Sequence, residues 1–324
     1  MRLARRRFLS LAGAAVAAPA ISRLAWSEGY PEQPIRIIVP LAPGGGTDYV
    51  ARRTAEFVSR TLGQQVVVEN KTGAGGTVGI ETAAKGAPDG YTLLVSNDNI
   101  ASAPYIQKVT GDYQKDLVPV VLLTRQPLVW AVHKSVNANT LEEFIAEMKQ
   151  HPVSGYATSG VGSNQHFLSE WFLKVAGLKL DHFPYQGAGP AAKDLLAGNV
   201  PIGALGPTAL VAGYKAKTVR FLAQSSEVRS ALLPEVPTFQ EQGFKGMVLD
   251  QWFGLFVPAG TPPAIIARLN AEFGKALAVT EVREDMLKSA NEPVGGSAED
   301  FARLVRDDSA KYAKLSRELG IKAG

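Results

Sequence analysis

The stretch Ile35–Asp48, IRIIVPLAPGGGTD, places a glycine-rich loop between a buried strand and a helix. The apolar, β-branched run Ile35–Pro40 predicts the strand, and a helix is predicted over Thr47–Leu62, ended by Gly63. Glycine lets a backbone approach a ligand closely, and the first N–H groups of a helix have no intrahelical acceptor. Together with the positive end of the helix dipole, these groups predict an anion-binding site at Gly44–Asp48.

A second loop of the same type lies more than a hundred residues further along the chain. Residues 158–166, TSGVGSNQH, precede a helix predicted over Ser163–Ala176, with Ser163 as its N-cap. Neither loop contains lysine or arginine, so backbone N–H groups, hydroxyls and water would hold the anion rather than an arginine clamp. Two such loops predict two lobes that close on one small anion.

Both loops also allow other interpretations. The first lacks the lysine of a Walker A loop and the spacing of a dinucleotide fingerprint. Thr47 or Asp48 is predicted to cap the helix and to leave the glycine N–H groups free, and a tight turn with such a cap is the alternative to an anion site. The second contains Ser163 and His166, which would suit an exported α/β hydrolase or transferase, although no G-x-S-x-G nucleophile elbow occurs. His166 would lie in the first turn of its helix, facing whatever the helix N-terminus faces.

The positive charge of the chain is concentrated at its N-terminus. The net charge is +4, from 34 basic and 30 acidic residues, but five arginines and no acidic residue lie before Glu28. Beyond them, 29 basic residues stand against 30 acidic ones, a net charge of −1, which argues against nucleic-acid binding. Cysteine is absent, which excludes disulfides, thiol nucleophiles and thiolate metal sites.

Residues 1–27 are typical of a twin-arginine export signal. Three arginines at positions 5–7 precede a short apolar run, Leu11–Ala20, and small residues suit cleavage after Ser27. An uncleaved membrane anchor is the alternative, but the apolar run is shorter than the ~20 residues of a spanning helix. We therefore expect the mature protein in the periplasm.

Beyond the signal, strand-like and helix-like runs alternate, which indicates an α/β protein with mainly parallel sheets. Thr140 and Glu143 predict a capping box for a helix that runs to Gln150. Hinge strands are predicted near residues 125–132 and 248–257, where the chain would cross between lobes. The first lobe then combines residues 28–128 with 236–324, and the second lobe spans residues 129–235. Interleaved lobes of this kind predict a two-lobed clamshell of the periplasmic-binding-protein (Venus-flytrap, type II-like) class, ending in a helical C-terminal segment.

Other polar residues are placed by the predicted strands. Ser96–Asn99 follow a strand directly, and ligand contacts gather at the carboxyl ends of parallel strands; a polar turn is the alternative. Trp252 is expected in the core, or in the cleft if the crossing strand exposes it. His133, His151 and His182 show no metal-ligand spacing, so we predict no metal site and no cofactor.

Short motifs distributed over nearly the whole mature chain carry a family resemblance. They are YPxxPIRxIVP from Tyr30, PGGxxD from Pro43, ENKxGAGG from Glu69, PDGYTL from Pro88, SGxGS from Ser159, FPYxG from Phe183, LPxVPT from Leu233 and WFGLFxPAGTP from Trp252. These motifs occur in this order between about Tyr30 and Ile321. Through them the chain resembles the receptors of tripartite tricarboxylate transporters, the Bug/TctC family of extracytoplasmic solute-binding proteins.

The resemblance implies a periplasmic receptor without enzymatic activity, in which two opposed loops and ordered waters hold a carboxylate. Matched position by position, the ligand-binding residues would be Gly44, Gly45, Thr47, Asp48, Ser96, Asn97, Ser159, Gly162, Ser163 and His166. The loaded receptor, expected as a monomer, would deliver its ligand to the small and large membrane subunits of a secondary transporter. A receptor that feeds a sensor kinase is the alternative.

Two departures from the family pattern border the expected distal end of the ligand. Asn97-Asp98-Asn99 stands where many relatives have a threonine-histidine pair, and Gly203–Pro207 lacks an aspartate that many relatives have after this strand. The possible specificity residues are therefore Asp98, Asn99, Leu205, Pro207 and Trp252. Without that aspartate, a neutral or aromatic distal end is favoured over an amino group.

Overall fold

The computed structural model describes residues 29–321, so the predicted export signal lies outside the described residues. The strands are β1 (Ile35–Val39), β2 (Val66–Asn70), β3 (Thr92–Asn97), β4 (Leu117–Gln126), β5 (Val129–His133), β6 (Gly155–Thr158), β7 (Asp181–Pro184), β8 (Ile202–Leu205), β9 (Val219–Gln224), β10 (Gln251–Pro258) and β11 (Glu292–Pro293). The helices are α1 (Gly46–Leu62), α2 (Thr77–Ala84), α3 (Asn99–Ser102), α4 (Tyr113–Asp116), α5 (Leu141–Gln150), α6 (Asn164–Ala176), α7 (Ala188–Ala197), α8 (Val211–Lys215), α9 (Pro263–Ala278), α10 (Thr280–Lys288) and α11 (Ala298–Leu319).

The strands form two sheets, one in each lobe. The first has the order β11-β4-β10-β3-β1-β2, and the second has the order β7-β6-β8-β5-β9. β1 pairs in parallel with β2 and β3, and β6 pairs in parallel with β7 and β8. The other pairings among the described strands are antiparallel. The two-lobed α/β class is confirmed, but the sheets are mixed rather than mainly parallel.

The double crossing of the chain explains the mixed pairing. β1, β3 and β4 run toward the second lobe, whereas β10 returns from it and therefore lies antiparallel to both β3 and β4. In the second lobe β5 leads away from the first lobe, and β8 and β9 run back toward it. The carboxyl ends of β1, β3, β6 and β8 consequently face one another across the cleft, the position where α/β sheets bind ligands.

The helix ends follow the predicted local signals. α1 ends at Gly63, whose φ of 67° is the left-handed conformation that favours glycine. Thr140 caps α5, because its hydroxyl accepts the Glu143 N–H at 3.1 Å. These boundaries confirm the sequence predictions at both positions.

The lobes meet through more than the two crossing strands. Tyr312 of α11 packs against Phe167 of α6, with ring centroids 5.1 Å apart. The core of the second lobe is filled by Trp130, whose ring meets Phe144 and Phe172 edge to face, with ring centroids 5.6 and 4.8 Å apart.

Within residues 29–321 no helix combines the length and apolar character needed to cross a membrane.

The segment 236–249, which the sequence assigns to the first lobe, contacts the second sheet. Thr238 bridges to Gln224 of β9, and the Leu249 N–H donates to the Ser225 carbonyl at 3.1 Å. Gln224 Nε2 also donates to the Val236 carbonyl at 2.6 Å. The chain thus joins the first sheet again only with β10.

Candidate ligand-binding site

A small cavity lies between the lobes, at the carboxyl ends of β1, β3, β6 and β8. Its walls are formed by Leu41, Ala42, Gly45, Gly46, Thr47, Asn97, Gln126, Ser159, Gln165, Ala188, Gly206, Gln251 and Phe253. The cavity volume is about 10 Å³, which is close to what one water molecule needs. A ligand of several heavy atoms can therefore enter only when the lobes separate.

The cavity wall carries no ionisable side chain among the described residues. Its polar groups are four carboxamides and two hydroxyls, and Leu41 and Phe253 supply apolar contact. An anion in this cavity would therefore be held by neutral hydrogen-bond donors and by backbone N–H groups, as the absence of lysine and arginine from both loops predicts.

The first glycine loop brings backbone donors to the cavity. α1 begins at Gly46, and its N-cap, Gly45, has an extended backbone and no side chain that could accept an N–H. The N–H groups of the first helical turn have no acceptor within their own helix. Because Gly45, Gly46 and Thr47 line the cavity, these donors and the positive end of the α1 dipole face it.

Asp48 holds the first loop in place and does not cap α1. Its Oδ2 accepts the Gly44 N–H at 3.1 Å, and its Oδ1 accepts from Arg52 Nε at 2.9 Å and from Asn70 Nδ2 at 3.0 Å. The prediction that Thr47 or Asp48 is the N-cap is wrong, because the helix starts before both residues. Asp48 lies outside the cavity wall, with its charge paired to Arg52.

Asn97 ends β3 at the cavity. Its side chain is fully buried, and neither amide atom has a hydrogen-bond partner within residues 29–321. Ser96 is also buried, but it is absent from the cavity wall and its hydroxyl contacts the Asn97 carbonyl at 3.3 Å. The two residues differ because successive side chains of a strand point to opposite faces.

Asp98 and Asn99 lie behind the cavity wall. Asp98 Oδ2 accepts the Tyr312 hydroxyl at 2.6 Å, and burial raises the pKa of Asp98 to about 8. Asn99 Nδ2 donates to the Gly75 carbonyl at 2.9 Å. Of the three residues from Asn97 to Asn99, only Asn97 lines the cavity, whereas the other two support α11 and a neighbouring loop.

Ser159 is the predicted residue of the second glycine loop that lies in the cavity wall. Its N–H donates to Gln165 Oε1 at 2.7 Å, while its hydroxyl is buried and has no partner in the described part of the chain. A buried polar group left unpaired destabilises a structure by about 1–3 kcal/mol. Ser159 and Asn97 therefore place unpaired groups from both lobes in one cavity.

The remaining predicted residues of the second loop bond to one another. The Ser163 hydroxyl caps α6 as predicted, accepting the His166 N–H at 3.2 Å and donating to the Gly160 carbonyl at 2.8 Å. His166 Nδ1 accepts the Gly162 N–H at 3.2 Å, and its ring stacks on His182 at 4.0 Å. Burial lowers the pKa of His166 to about 4. Because the Ser163 hydroxyl is engaged with backbone groups, this geometry does not support the hydrolase alternative.

The backbone of the second loop also contacts the first lobe. The Ser102 hydroxyl donates to the Gly162 carbonyl at 2.7 Å, and Gln107 Nε2 donates to the Val161 carbonyl at 2.7 Å. Gly162 has a φ of 80°, which favours glycine. These hydrogen bonds join the two lobes beside the cavity.

The first loop faces the connection between β7 and α7, which sequence reasoning missed. The Ala42 N–H donates to the Gln186 carbonyl at 2.8 Å. A Cβ on Gly189 would lie 2.0 Å from the Pro43 carbonyl oxygen, so only glycine allows this approach. The motif FPYxG marks this connection in the sequence, but its residue types carry no ligand-binding chemistry that would have identified it.

Three glutamines of the cavity wall were also missed, and each has its carbonyl oxygen occupied. Gln126 Oε1 accepts the Thr208 hydroxyl at 2.6 Å, and Gln165 Oε1 accepts the Ser159 N–H at 2.7 Å. Gln251 Oε1 accepts from Gln126 Nε2 at 2.7 Å. Each of these oxygens therefore already accepts one hydrogen bond, and each Nε2 keeps at least one N–H to donate. Gln126 and Gln251 lie opposite each other on β4 and β10, and a polar pair on the two predicted hinge strands was the available signal.

The residues expected to shape specificity after β8 lie beside the cavity. Leu205 is buried in a core cluster of the second lobe, and Pro207 begins a 3-10 turn. Gly206, between them, is the residue that lines the cavity.

Trp252 belongs to the core, one of the two expected positions. Its indole ring meets Phe301 edge to face at 5.3 Å, and its N–H donates to Asp308 Oδ2 at 2.6 Å. Since side chains alternate along β10, Gln251 and Phe253 face the cavity instead.

The structure thus divides the ten predicted ligand-binding residues into two groups. The residues in the cavity wall are Gly45, Thr47, Asn97 and Ser159. The residues that support the wall from behind or lie at its rim are Gly44, Asp48, Ser96, Gly162, Ser163 and His166. All ten remain within the two glycine loops and the end of β3.

Comparison with known sequences identifies one protein family. A family model described as tripartite tricarboxylate transporter family receptor matches residues 50–321. Protein BugT of Bordetella pertussis is 35% identical over 320 residues, which cover 98% of each chain.

Solved structures of similar chains share the fold. The periplasmic binding protein BugD has a TM-score of 0.87 and 31% identity, covering 90% of this chain and 99% of that one. MatC from Rhodopseudomonas palustris, with bound malate, has a TM-score of 0.84 and 30% identity over 88% and 99% of the chains. Rpa4515 of R. palustris, with adipate, has a TM-score of 0.86 and 29% identity over 90% and 99%.

Proposed function

The chain belongs to the tripartite tricarboxylate transporter receptor family, and from that premise we propose that it captures a small carboxylate between its two lobes. The observation that carries the proposal is the N-terminus of α1 at the cavity. Gly45, Gly46 and Thr47 offer N–H groups there at the positive end of a 17-residue helix. A carboxylate presents two acceptor oxygens and a negative charge, which suit this arrangement.

Lobe closure and ligand binding support each other in this mechanism. The bonds from Ser102 to Gly162 and from Ala42 to Gln186 form only when the lobes meet. A carboxylate that bridges the α1 N-terminus and Ser159 joins the two lobes and therefore shifts the population toward forms in which they are closed around it. Exclusion of water from the closed cleft strengthens the interactions between the anion and its donors.

The receptor itself performs no reaction in this proposal. It releases its ligand to the small and large membrane subunits of a secondary transporter on the periplasmic side of the membrane. The family description, the predicted export signal and the similarity to a periplasmic binding protein support this placement.

A thermal-shift screen of the mature chain against a carboxylate library, followed by calorimetry, tests the proposal. The library includes malate and adipate, the ligands of two solved relatives, each paired with its dimethyl ester, which has no free carboxylate. We expect at least one free acid to raise the melting temperature, with about 2.7 kcal/mol of stabilisation at 100 times Kd, and its ester to have no effect. Stabilisation by no acid, or equally by the esters, would contradict the carboxylate proposal.

Transport is tested separately by uptake of the identified acid in cells with and without the receptor gene. Loss of uptake supports delivery to a transporter. Unchanged uptake together with a loss of acid-dependent gene expression would instead identify a receptor for a sensor kinase.

A further inference from the structure

Asn97 is the polar side chain of the cavity that the protein satisfies least. It is fully buried, and both its N–H donor and its carbonyl acceptor lack partners within residues 29–321. This statement holds whichever way the amide is turned, because neither atom is engaged. A buried amide that the protein leaves free at both ends indicates a ligand that pairs with both.

The rest of the cavity supplies donors but few acceptors. The carbonyl oxygens of Gln126, Gln165 and Gln251 are all occupied by donors of the protein. The N-terminus of α1 adds backbone N–H groups. Asn97 Oδ1 and the hydroxyls of Thr47 and Ser159 are therefore the side-chain acceptors of the described cavity wall that receive no hydrogen bond from the protein, and Asn97 alone combines such an acceptor with an unpaired N–H donor that is fully buried.

The charge of the wall restricts the ligand further. No acidic side chain of residues 29–321 lines the cavity, so an ammonium group would be buried without a counter-ion. Gly206 lies close to the hydrogen-bonded side-chain amides of Gln126 and Gln251. A Cβ added at this position would lie 2.2 Å from Gln126 Nε2 and 2.8 Å from Gln251 Oε1. No side chain can therefore be added at this point of the wall to change its charge.

Each class of distal group satisfies Asn97 differently. A second ionised carboxylate accepts from Asn97 Nδ2 but cannot donate to Oδ1, and a methyl group leaves both atoms unpaired. A hydroxyl or a carboxamide donates and accepts at once. A primary carboxamide matches best, because two amides can form a pair of parallel hydrogen bonds.

We propose that Asn97 is a specificity-determining residue that selects a carboxylate whose second polar group is uncharged and both donates and accepts a hydrogen bond. This inference rests on the proposed function, because the carboxylate of the ligand is assigned to the α1 N-terminus. It adds the chemistry of the other end of the ligand.

Calorimetry with acids of similar length that differ only at the far end tests the inference. The series is butyrate, 4-hydroxybutyrate, 4-aminobutyrate, succinate and succinamate, repeated with adipate and its monoamide. We expect each monoamide to bind at least about tenfold more tightly than the dicarboxylate of the same length, and succinamate at least about tenfold more tightly than butyrate.

Asn97→Leu keeps the size of the side chain and removes both hydrogen-bonding atoms. In this variant we expect succinamate to bind within about twofold of butyrate. Asn137→Leu, at an exposed position of the second lobe, is the matched control and should leave the wild-type order unchanged. If Asn97→Leu fails to fold, as judged by circular dichroism, Asn97→Ala serves the same comparison.

A dicarboxylate that binds as tightly as its monoamide, or a monoamide preference that survives in the Asn97 variant, would overturn the inference. The same conclusion follows if the library screen identifies a bound acid that has neither a hydroxyl nor a carboxamide. In all three cases a carboxylate still binds and the proposed function stands. If no carboxylate binds at all, both the inference and the proposed function fail.

Discussion

The two glycine loops look alike in the sequence, yet they use their polar groups in opposite ways. At the first loop the N-cap is Gly45, which has no side chain, so the N–H groups of α1 remain available at the cavity. At the second loop the N-cap is Ser163, whose hydroxyl accepts the His166 N–H. A glycine-rich loop before a helix is thus an anion site only if the loop does not satisfy the helix N-terminus itself.

The second loop has a different task, which is to join the lobes. Its carbonyls at Val161 and Gly162 accept hydrogen bonds from Gln107 and Ser102 of the first lobe. Ser159 faces the cavity with an unpaired hydroxyl, and Gln165 lines it with its carboxamide. Substitutions in the first loop should therefore change binding, and most substitutions in the second should change stability or closure.

The largest effect is expected from Gly45→Val in the first loop. A Cβ at this position would lie 3.3 Å from the Ala188 Cβ, and the methyl groups would enter the cavity. The φ of −90° is open to any residue, so the lobe should still fold. Overpacking of this kind predicts an affinity loss of about 100-fold by calorimetry. Gly274→Val, where no atom lies within 4 Å, is the control; equal affinity in both variants would argue against the first loop as the ligand contact.

The second largest effect is the pH dependence of the second loop. Burial lowers the pKa of His166 from 6.5 to about 4 in the folded state. Between these values the unfolded chain takes up a proton that the folded chain does not, so the free energy of unfolding falls as the pH falls. We expect the difference in unfolding free energy between wild type and His166→Gln to change by about 2 kcal/mol from pH 7 to pH 4.5. If the difference in unfolding free energy between the two proteins is the same at pH 7 and at pH 4.5, the assignment of a buried, neutral His166 ring is contradicted.

Two serines of the second loop separate binding from stability. Ser159→Ala should weaken carboxylate binding about tenfold without lowering the melting temperature of the ligand-free protein, because its hydroxyl is buried and unpaired there. Ser163→Ala should destabilise the protein by about 1 kcal/mol, since it removes the cap of α6. Calorimetry and thermal unfolding of both variants provide the comparison, and the reverse pattern would invalidate the roles assigned to them.

The smallest effect is expected at the contact between the lobes. Ser102→Ala removes the donor to the Gly162 carbonyl, a hydrogen bond between the two lobes. The loss of one neutral hydrogen bond predicts affinity about threefold weaker at unchanged thermal stability. Ser154→Ala, at an exposed site, should have no effect, and a drop in melting temperature for Ser102→Ala would show that the bond stabilises the fold rather than closure.

Local features of the sequence predicted much of the fold. The alternation of strands and helices, the end of α1 at Gly63 and the caps at Thr140 and Ser163 depend on neighbouring residues, and all agree with the structure. The direction of β10 was less accessible, because its pairing with β3 and β4 depends on where the chain returns from the second lobe.

Much of the cavity wall depends on contacts between distant residues. Gln126 and Gln251 are 125 positions apart, and they pair only because β4 and β10, the two predicted hinge strands, lie side by side. The approach of Gly189 to Pro43 likewise appears only when the lobes meet. Which polar groups of the cavity wall have hydrogen-bond partners is therefore decided only when the two lobes pack together.

The sequence by itself determined that two lobes would meet at glycine-rich loops without basic residues, because periodicity, capping and residue type act locally. The tertiary structure decided which loop leaves its N–H groups free and which side chains stay unpaired between the lobes. The physical reason is that a donor is available to a ligand only if no other part of the folded chain accepts from it. At Gly45 and Asn97 that condition depends on both lobes at once.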